Sequence, residues 1–191
     1  EAQDGGYPKR CVYVRHKVFT LPAPFEGQPQ PLVSLSLRYG GMDWGDDDTA
    51  LVSEWWWSNR KTRTHVIDPS NPSAKPRLLF DRSFEDRYGD PGNPVAHATR
   101  WGTSVLLFAD GGRSIFLTSS GASPEGDRPF LDNLNLETKE TRRLFRSEAP
   151  YYEYPIEILN PDSEVVLTRR ESVSEPPNYL LRDLKRDELR S

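Results

Sequence analysis

The chain has 191 residues, 28% of them charged, and a formal net charge of −4; with glycine counted and tyrosine set aside its apolar share is about 38%, below the roughly 45–50% of ordinary globular domains. No run approaches the ~18 apolar residues of a membrane span, the acidic balance disfavours nucleic acid, and twenty-one aromatic residues exclude a disordered acidic tail. Cys11 is the only cysteine, so neither an intrachain disulfide nor a multi-cysteine zinc site can form, and the compartment stays open.

Seventeen prolines leave little room for long helices. Short apolar or alternating runs follow one another instead: Cys11–Val14, Val18–Leu21, Leu32–Arg38, Ala50–Trp57, Thr64–Asp68, Arg77–Phe80, Val95–Thr99, Val105–Ala109, Ser114–Thr118, Phe130–Leu136, Arg142–Phe145, Ile156–Leu159, Glu164–Thr168 and Tyr179–Asp183. Turn formers punctuate them, among them Asp46-Asp47-Asp48, Asp90-Pro91-Gly92-Asn93-Pro94, Asp110-Gly111-Gly112 and Asn160-Pro161-Asp162. This pattern predicts an all-β protein. Leu180–Leu189 is weakly amphipathic and reads as a strand, a charged turn and the start of another strand.

An internal repeat organises these strands. Thr49–Ser53 aligns with Ser114–Thr118 and Glu164–Thr168, each after a turn and each followed by a second strand. Leu79 and Leu144 lie 65 positions apart, as do Thr49 and Ser114. Repeated antiparallel units of this length predict a partial β-propeller of about two to three blades. The expected division is 1–31 as the end of a preceding blade, 32–83 and 84–147 as blades, and 148–191 as an incomplete blade lacking its outer strand. With no initiating methionine and a stop just after a strand-like run, the chain reads as a fragment or a mature product.

Chemistry is sparse. No G-x-S-x-G occurs, so no nucleophile elbow and no catalytic residue is assigned. His16, His65 and His97 are scattered without ligand spacing, and Gly111-Gly112 reads as a hairpin turn rather than a phosphate loop, so no metal or cofactor is called for. Asp43, Asp46, Asp47 and Asp48 do not follow the alternation of a calcium loop and read as a turn. Trp55, Trp56 and Trp57 alternate across a strand and suit packing between blades better than a sugar platform. Arg60-Lys61-Thr62-Arg63 is the one dense basic patch, a candidate site for an acidic peptide or, more plainly, a solvated hairpin edge paired with nearby aspartates.

Several strings, in order, carry a resemblance: Gln3-Asp4-Gly5-Gly6, Ala23-Pro24-Phe25-Glu26-Gly27, Trp44-Gly45-Asp46-Asp47-Asp48, Glu54-Trp55-Trp56 before Arg63-Thr64, Tyr88–Pro94 and Gly121–Asp132. Together they resemble the N-terminal β-propeller of the glutamyl endopeptidase branch of the prolyl oligopeptidase clan of serine peptidases. The resemblance implies a parent with an α/β-hydrolase domain carrying Ser, Asp and His, absent from this chain. The propeller would admit peptides or unfolded segments to a site that cleaves after glutamate, and Arg60, Lys61 and Arg63 become candidate substrate-binding residues. Trp57 and His65 depart from the family pattern. The competing expectation is a non-enzymatic propeller acting as a protein-interaction scaffold.

Overall fold

In the computed structural model, residues 2–3 and 14–190 are described. The expected strand at Cys11–Val14 falls outside them except for Val14, which is not in a strand; Cys11 and Asp4-Gly5-Gly6 also lie outside. The described residues form antiparallel β-sheet throughout, with one 3-10 turn at Asp110–Gly112. Contacts divide the chain into two compact units, one ending at Glu85 and the other starting at Asp86.

The first unit holds two sheets. Strands β1 (Ala2–Gln3), β2 (His16–Thr20) and β3 (Gln30–Leu35) form one, in sequence order. The other is a four-stranded meander of β4 (Arg38–Trp44), β5 (Ala50–Trp56), β6 (Lys61–Ile67) and β7 (Arg77–Ser83). Leu32, Val33 and Leu35 of β3 pack with Ala50, Val52 and Ile67 into one core cluster, joined by Val18, Tyr39 and Met42.

The sequence reading runs Leu32–Arg38 as a single strand, whereas the chain leaves its sheet after Leu35 and begins a new one at Arg38. The cause is the buried Glu54 carboxylate on β5. It accepts the Leu37 backbone N–H at 2.7 Å and the Ser36 hydroxyl at 3.2 Å, turning the backbone between the two sheets. Strand β4 was hidden by Gly40-Gly41, which look like a turn. Gly40 is there for clearance: a Cβ on it would stand 2.8 Å from the Ser53 hydroxyl oxygen and 3.2 Å from the Trp55 ring.

The second unit has two four-stranded meanders and an inserted hairpin. In the first meander β11 (Phe108–Ala109), β12 (Ser114–Ser119), β13 (Phe130–Asn135) and β14 (Thr141–Arg146) lie in order. Strand β8 (Asn93–Pro94) also pairs with β12, on the same edge as β11. Between β8 and β11 the chain makes a two-stranded hairpin, β9 (Ala96–Ala98) and β10 (Ser104–Leu106). The second meander is β15 (Tyr152–Asn160), β16 (Val165–Glu171), β17 (Asn178–Asp183) and β18 (Glu188–Arg190). Phe116, Leu131 and Ala109 from one sheet and Ile158 and Val166 from the other share a core cluster.

The three aligned segments of the sequence repeat are β5, β12 and the start of β16, each the second strand of an antiparallel four-strand meander, to which β8 adds a fifth strand beside β12. Leu51 and Val52, Phe116 and Leu117, and Val166 are at most 1% exposed. In β5 and β12 burial on both faces reads as continuous apolar residues, whereas β16 alternates buried with half-buried positions. The charged segment after β17 forms a turn, and β18 is a three-residue fourth strand where the third unit was expected to stop.

Candidate functional site

Arg60, Lys61 and Arg63 sit at the β5–β6 hairpin and along β6, an interior strand flanked by β5 and β7. Each meets a carboxylate. Arg60 Nε is 2.8 Å from Glu85 Oε1, and its guanidinium stacks 4.1 Å from the Trp57 ring centroid. Lys61 Nζ lies 3.0 Å from Asp81 Oδ1, and Arg63 Nε 3.0 Å from Asp81 Oδ2. Asp81 is directly opposite Arg63 across β6 and β7, the pairing that stabilises an antiparallel ladder. Burial opposes ionisation of Asp81, but hydrogen bonds from Lys61 and Arg63 and their charges outweigh it and hold the carboxyl below its usual range.

Beside them on β5 is Glu54, 2% exposed, which the sequence reading quoted without giving it a role. It lies opposite Arg63 on the other side of β6 and receives Arg63 Nη1 at 3.5 Å and His65 Nε2 at 3.1 Å, besides Leu37 N–H and Ser36. Burial alone would raise its pKa; the bonds from His65, Leu37 and Ser36 overcome that and lower it. The signal was present in the string Ala50-Leu51-Val52-Ser53-Glu54: a carboxylate at the end of a run buried on both faces must be paired.

Glu54 and His65 form a carboxylate–imidazole pair, which a catalytic relay would complete with a nucleophile. The arrangement lacks one. Ser36 bonds to Glu54, not to the imidazole, and the far nitrogen of His65, Nδ1, is buried without a hydrogen-bond partner. His16 uses Nδ1 to accept the Tyr39 N–H at 3.1 Å, and His97 is exposed on the β9–β10 hairpin. Among the described residues no three His, Cys, Asp or Glu side chains are grouped to hold a metal ion. Asp46 Oδ1 accepts the Asp48 N–H at 3.0 Å, closing the β4–β5 turn.

Trp55, Trp56 and Trp57 occupy three environments. Trp55 meets Phe84 edge to face at 6.4 Å, Trp56 lies under the Arg15 guanidinium at 4.0 Å, and Trp57 carries Arg60.

The second unit repeats the logic of the buried carboxylate. Glu153, 2% exposed, binds Arg182 through both carboxylate oxygens at 2.5 and 2.7 Å and accepts the Thr168 hydroxyl at 2.5 Å. Burial pushes its pKa up, and the Arg182 and Thr168 hydrogen bonds more than reverse this. It borders a polar cleft of about 590 Å³ in which Arg146, Arg170 and Arg182 are matched by Glu148, Glu153 and Asp187. Both polar regions are thus close to charge balance.

No family model matches the chain. It is 41% identical to a protein of Oryza sativa subsp. japonica named "Probable glutamyl endopeptidase, chloroplastic", over 95% of this chain and 21% of that protein. A protein of the same name from Arabidopsis thaliana is 39% identical, over 95% of this chain and 20% of its own length. The chain therefore spans about a fifth of the length of the curated relatives it matches. Among solved structures, TolB from Acinetobacter baumannii aligns with 96% of this chain and 38% of its own, at a TM-score of 0.48 and 14% identity.

Proposed function

We propose that the chain is the non-catalytic β-propeller segment of a glutamyl-endopeptidase-like serine peptidase. It gates or positions peptide substrate for a Ser-Asp-His hydrolase domain elsewhere in the parent polypeptide. The observation that carries this reading is the 41% and 39% identity to two proteins of that name, sustained over 95% of the chain. The repeated antiparallel meanders are in keeping with propeller blades. In this reading 1–31 end one blade, 32–83 and 84–147 are blades, and 148–191 belong to a further one. Arg60, Lys61 and Arg63 would take an acidic substrate only by exchanging Glu85, Asp81 and Glu54 for it, so their contribution is expected to be small.

The test uses a serine-reactive fluorophosphonate and a peptide with one Glu-Ala bond. The full-length parent is expected to label and to cut after Glu, and the 191-residue chain to do neither. Labelling of the isolated chain, or a full-length protein inert to both reagents, overturns the reading; inertness with retained capture of a folded protein partner favours the scaffold instead.

A further inference from the structure

The β9–β10 hairpin has a construction that packing does not explain. It interrupts the edge of β12: β8 pairs at Leu117 and Thr118, β11 pairs at Ile115 and Ser114, and the eleven residues between Val95 and Leu107 leave the sheet as a separate two-stranded finger. Its base is fixed. Val95 N–H donates to Phe116 O and Leu107 N–H to Val95 O, both at 2.9 Å, while Leu106 is 1% exposed. Its tip is closed as firmly, by Thr99 N–H to Thr103 O at 2.7 Å, Gly102 N–H to Thr99 O at 3.0 Å, and a 2.7 Å contact between the Thr99 and Thr103 hydroxyls.

On this rigid tip stand Arg100 and Trp101. Trp101 is 73% exposed, and the Arg100 guanidinium stacks 4.0 Å from its ring centroid. Stacking occupies the face of the guanidinium and leaves the N–H edge pointing away from the ring. No carboxylate of the described residues pairs with Arg100. The sequence accounts for this: the 19 residues between Asp90 and Asp110 contain no Asp or Glu, in a chain where 29 of 191 are acidic. Local charge is therefore uncompensated here, unlike at Arg60, Lys61 and Arg63. Trp and Arg on a preordered element are the residue types that dominate binding energy, because little entropy is lost when they are engaged. Among the described residues, strands β9 and β10 pair only with each other, so each also offers a main-chain edge to an extended segment.

We infer that the 96–106 hairpin is a recognition finger for an extended acidic peptide, with Arg100 taking a glutamate or aspartate side chain and Trp101 packing on the neighbouring residue. This rests on the proposed role in handling peptide substrate and names the element that does it.

The experiment uses the full-length protein, pre-treated with the fluorophosphonate so that peptide is bound and not cut. Binding of fluorescein-labelled Ala-Glu-Phe-Glu-Ala and its Gln counterpart is followed by anisotropy for the wild type, Arg100→Gln, Trp101→Ala and Arg63→Gln. Arg100→Gln should weaken the Glu peptide about tenfold and the Gln peptide less than about twofold, the signature of a lost charge-assisted bond. Trp101→Ala should weaken both peptides about fivefold or more, as expected for an aromatic anchor. Affinities unchanged by either substitution, or no binding by the wild type, overturn the finger. Fluorophosphonate labelling of the same preparation reads the peptidase assignment separately, so the two failures are distinguishable. Unchanged melting of both variants, expected at an exposed tip, confirms that the comparison is made on folded protein.

Discussion

The two arginine-bearing regions differ in a way that residue counting reverses. Arg60-Lys61-Thr62-Arg63 is the densest run of positive charge in the sequence, yet the fold places Glu85, Asp81 and Glu54 against it. Arg100 is an isolated cation in a stretch with no acid, and it keeps its hydrogen-bonding edge for something outside the chain. Charge density along a strand is therefore poor evidence of charge on offer: in an antiparallel sheet the partner strand decides, and at Arg63 both neighbours supply a carboxylate. The first region is a structural network and the second a candidate contact. Substitutions should separate them, moving stability in one and binding in the other.

The sharpest way to break the comparison is at Glu54. Glu54→Ala leaves Leu37 N–H, Ser36, His65 and Arg63 without their common acceptor inside a buried site. Removing one partner of a buried ionic network typically costs about 3–5 kcal/mol, so the unfolding midpoint in urea should drop steeply. Glu54→Gln keeps the shape and half the acceptors and should cost about half as much, near 1–3 kcal/mol. A Glu54→Ala protein as stable as the wild type would show that the ion pairs around Arg63 are not a network at all.

Backbone crowding gives an effect of similar size in the second unit. Gly121 has φ +64°, and a Cβ there would stand 1.9 Å from the Arg128 carbonyl oxygen, closer than any real contact allows. Gly121→Ala must open the loop that Gly121 and Arg128 close through a 2.9 Å hydrogen bond, and should cost about 2–4 kcal/mol. The same substitution at Gly126, where nothing lies within 4 Å of the added atom, carries only the strain of φ +108° and should cost less, roughly 1 kcal/mol. Urea titration of the pair checks the order.

How much of this was legible in the sequence follows from which interactions are local. Strands β5 and β12 were visible because burial on both faces writes an unbroken apolar run, and the equal spacing of Thr49 to Ser114 made the repeated unit visible as well. The resemblance strings were legible as strings, and Gly92 and Gly121 now have a reason: a Cβ on Gly92 would lie 2.6 Å from the Thr118 carbonyl oxygen. The break between Leu35 and Arg38 was not legible, since it is made by a side chain 17 positions beyond Leu37. Pairing of Arg60, Lys61 and Arg63 with nearby aspartates was legible, and Asp81 bears it out; the parts taken by Glu85 and the buried Glu54 were not, because β5 and β7 must first be laid beside β6. The hairpin was concealed for a different reason. Its strands, Ala96–Ala98 and Ser104–Leu106, are three residues each and bury only Leu106, so Val95–Thr99 and Val105–Ala109 read as ordinary members of the meander.

Acidification should distinguish the regions through their carboxylates. Glu54, Asp81 and Glu153 all have folded pKa values depressed below their ordinary ones, each against the opposing effect of burial. The stability they contribute is complete above the unfolded values, about 4.3 for Glu and 3.9 for Asp, and is lost as pH falls through the lower folded values. Melting temperature should therefore hold steady from neutral pH to about pH 5 and decline below it. In Glu153→Gln that decline should be shallower, because one of the three groups no longer titrates. A decline of unchanged steepness in that variant would mean that Arg182 does not depend on the charge of Glu153.

The smallest effect is the most telling, because it is a contrast between identical substitutions. Arg63→Gln removes the cation shared by Glu54 and Asp81 while His65 and Lys61 remain in place, and should cost about 1.5–3 kcal/mol, the range of a hydrogen bond to a charged group. Arg100→Gln removes a guanidinium that holds no carboxylate, on an exposed tip already closed by Thr99 and Thr103, and should change stability by less than about 0.5 kcal/mol. Peptide binding should show the opposite order, with Arg63→Gln close to wild type and Arg100→Gln weakened. If instead both substitutions cost the same stability, Arg100 has a partner that fixes it to the fold, and the division between structural and available charge no longer holds.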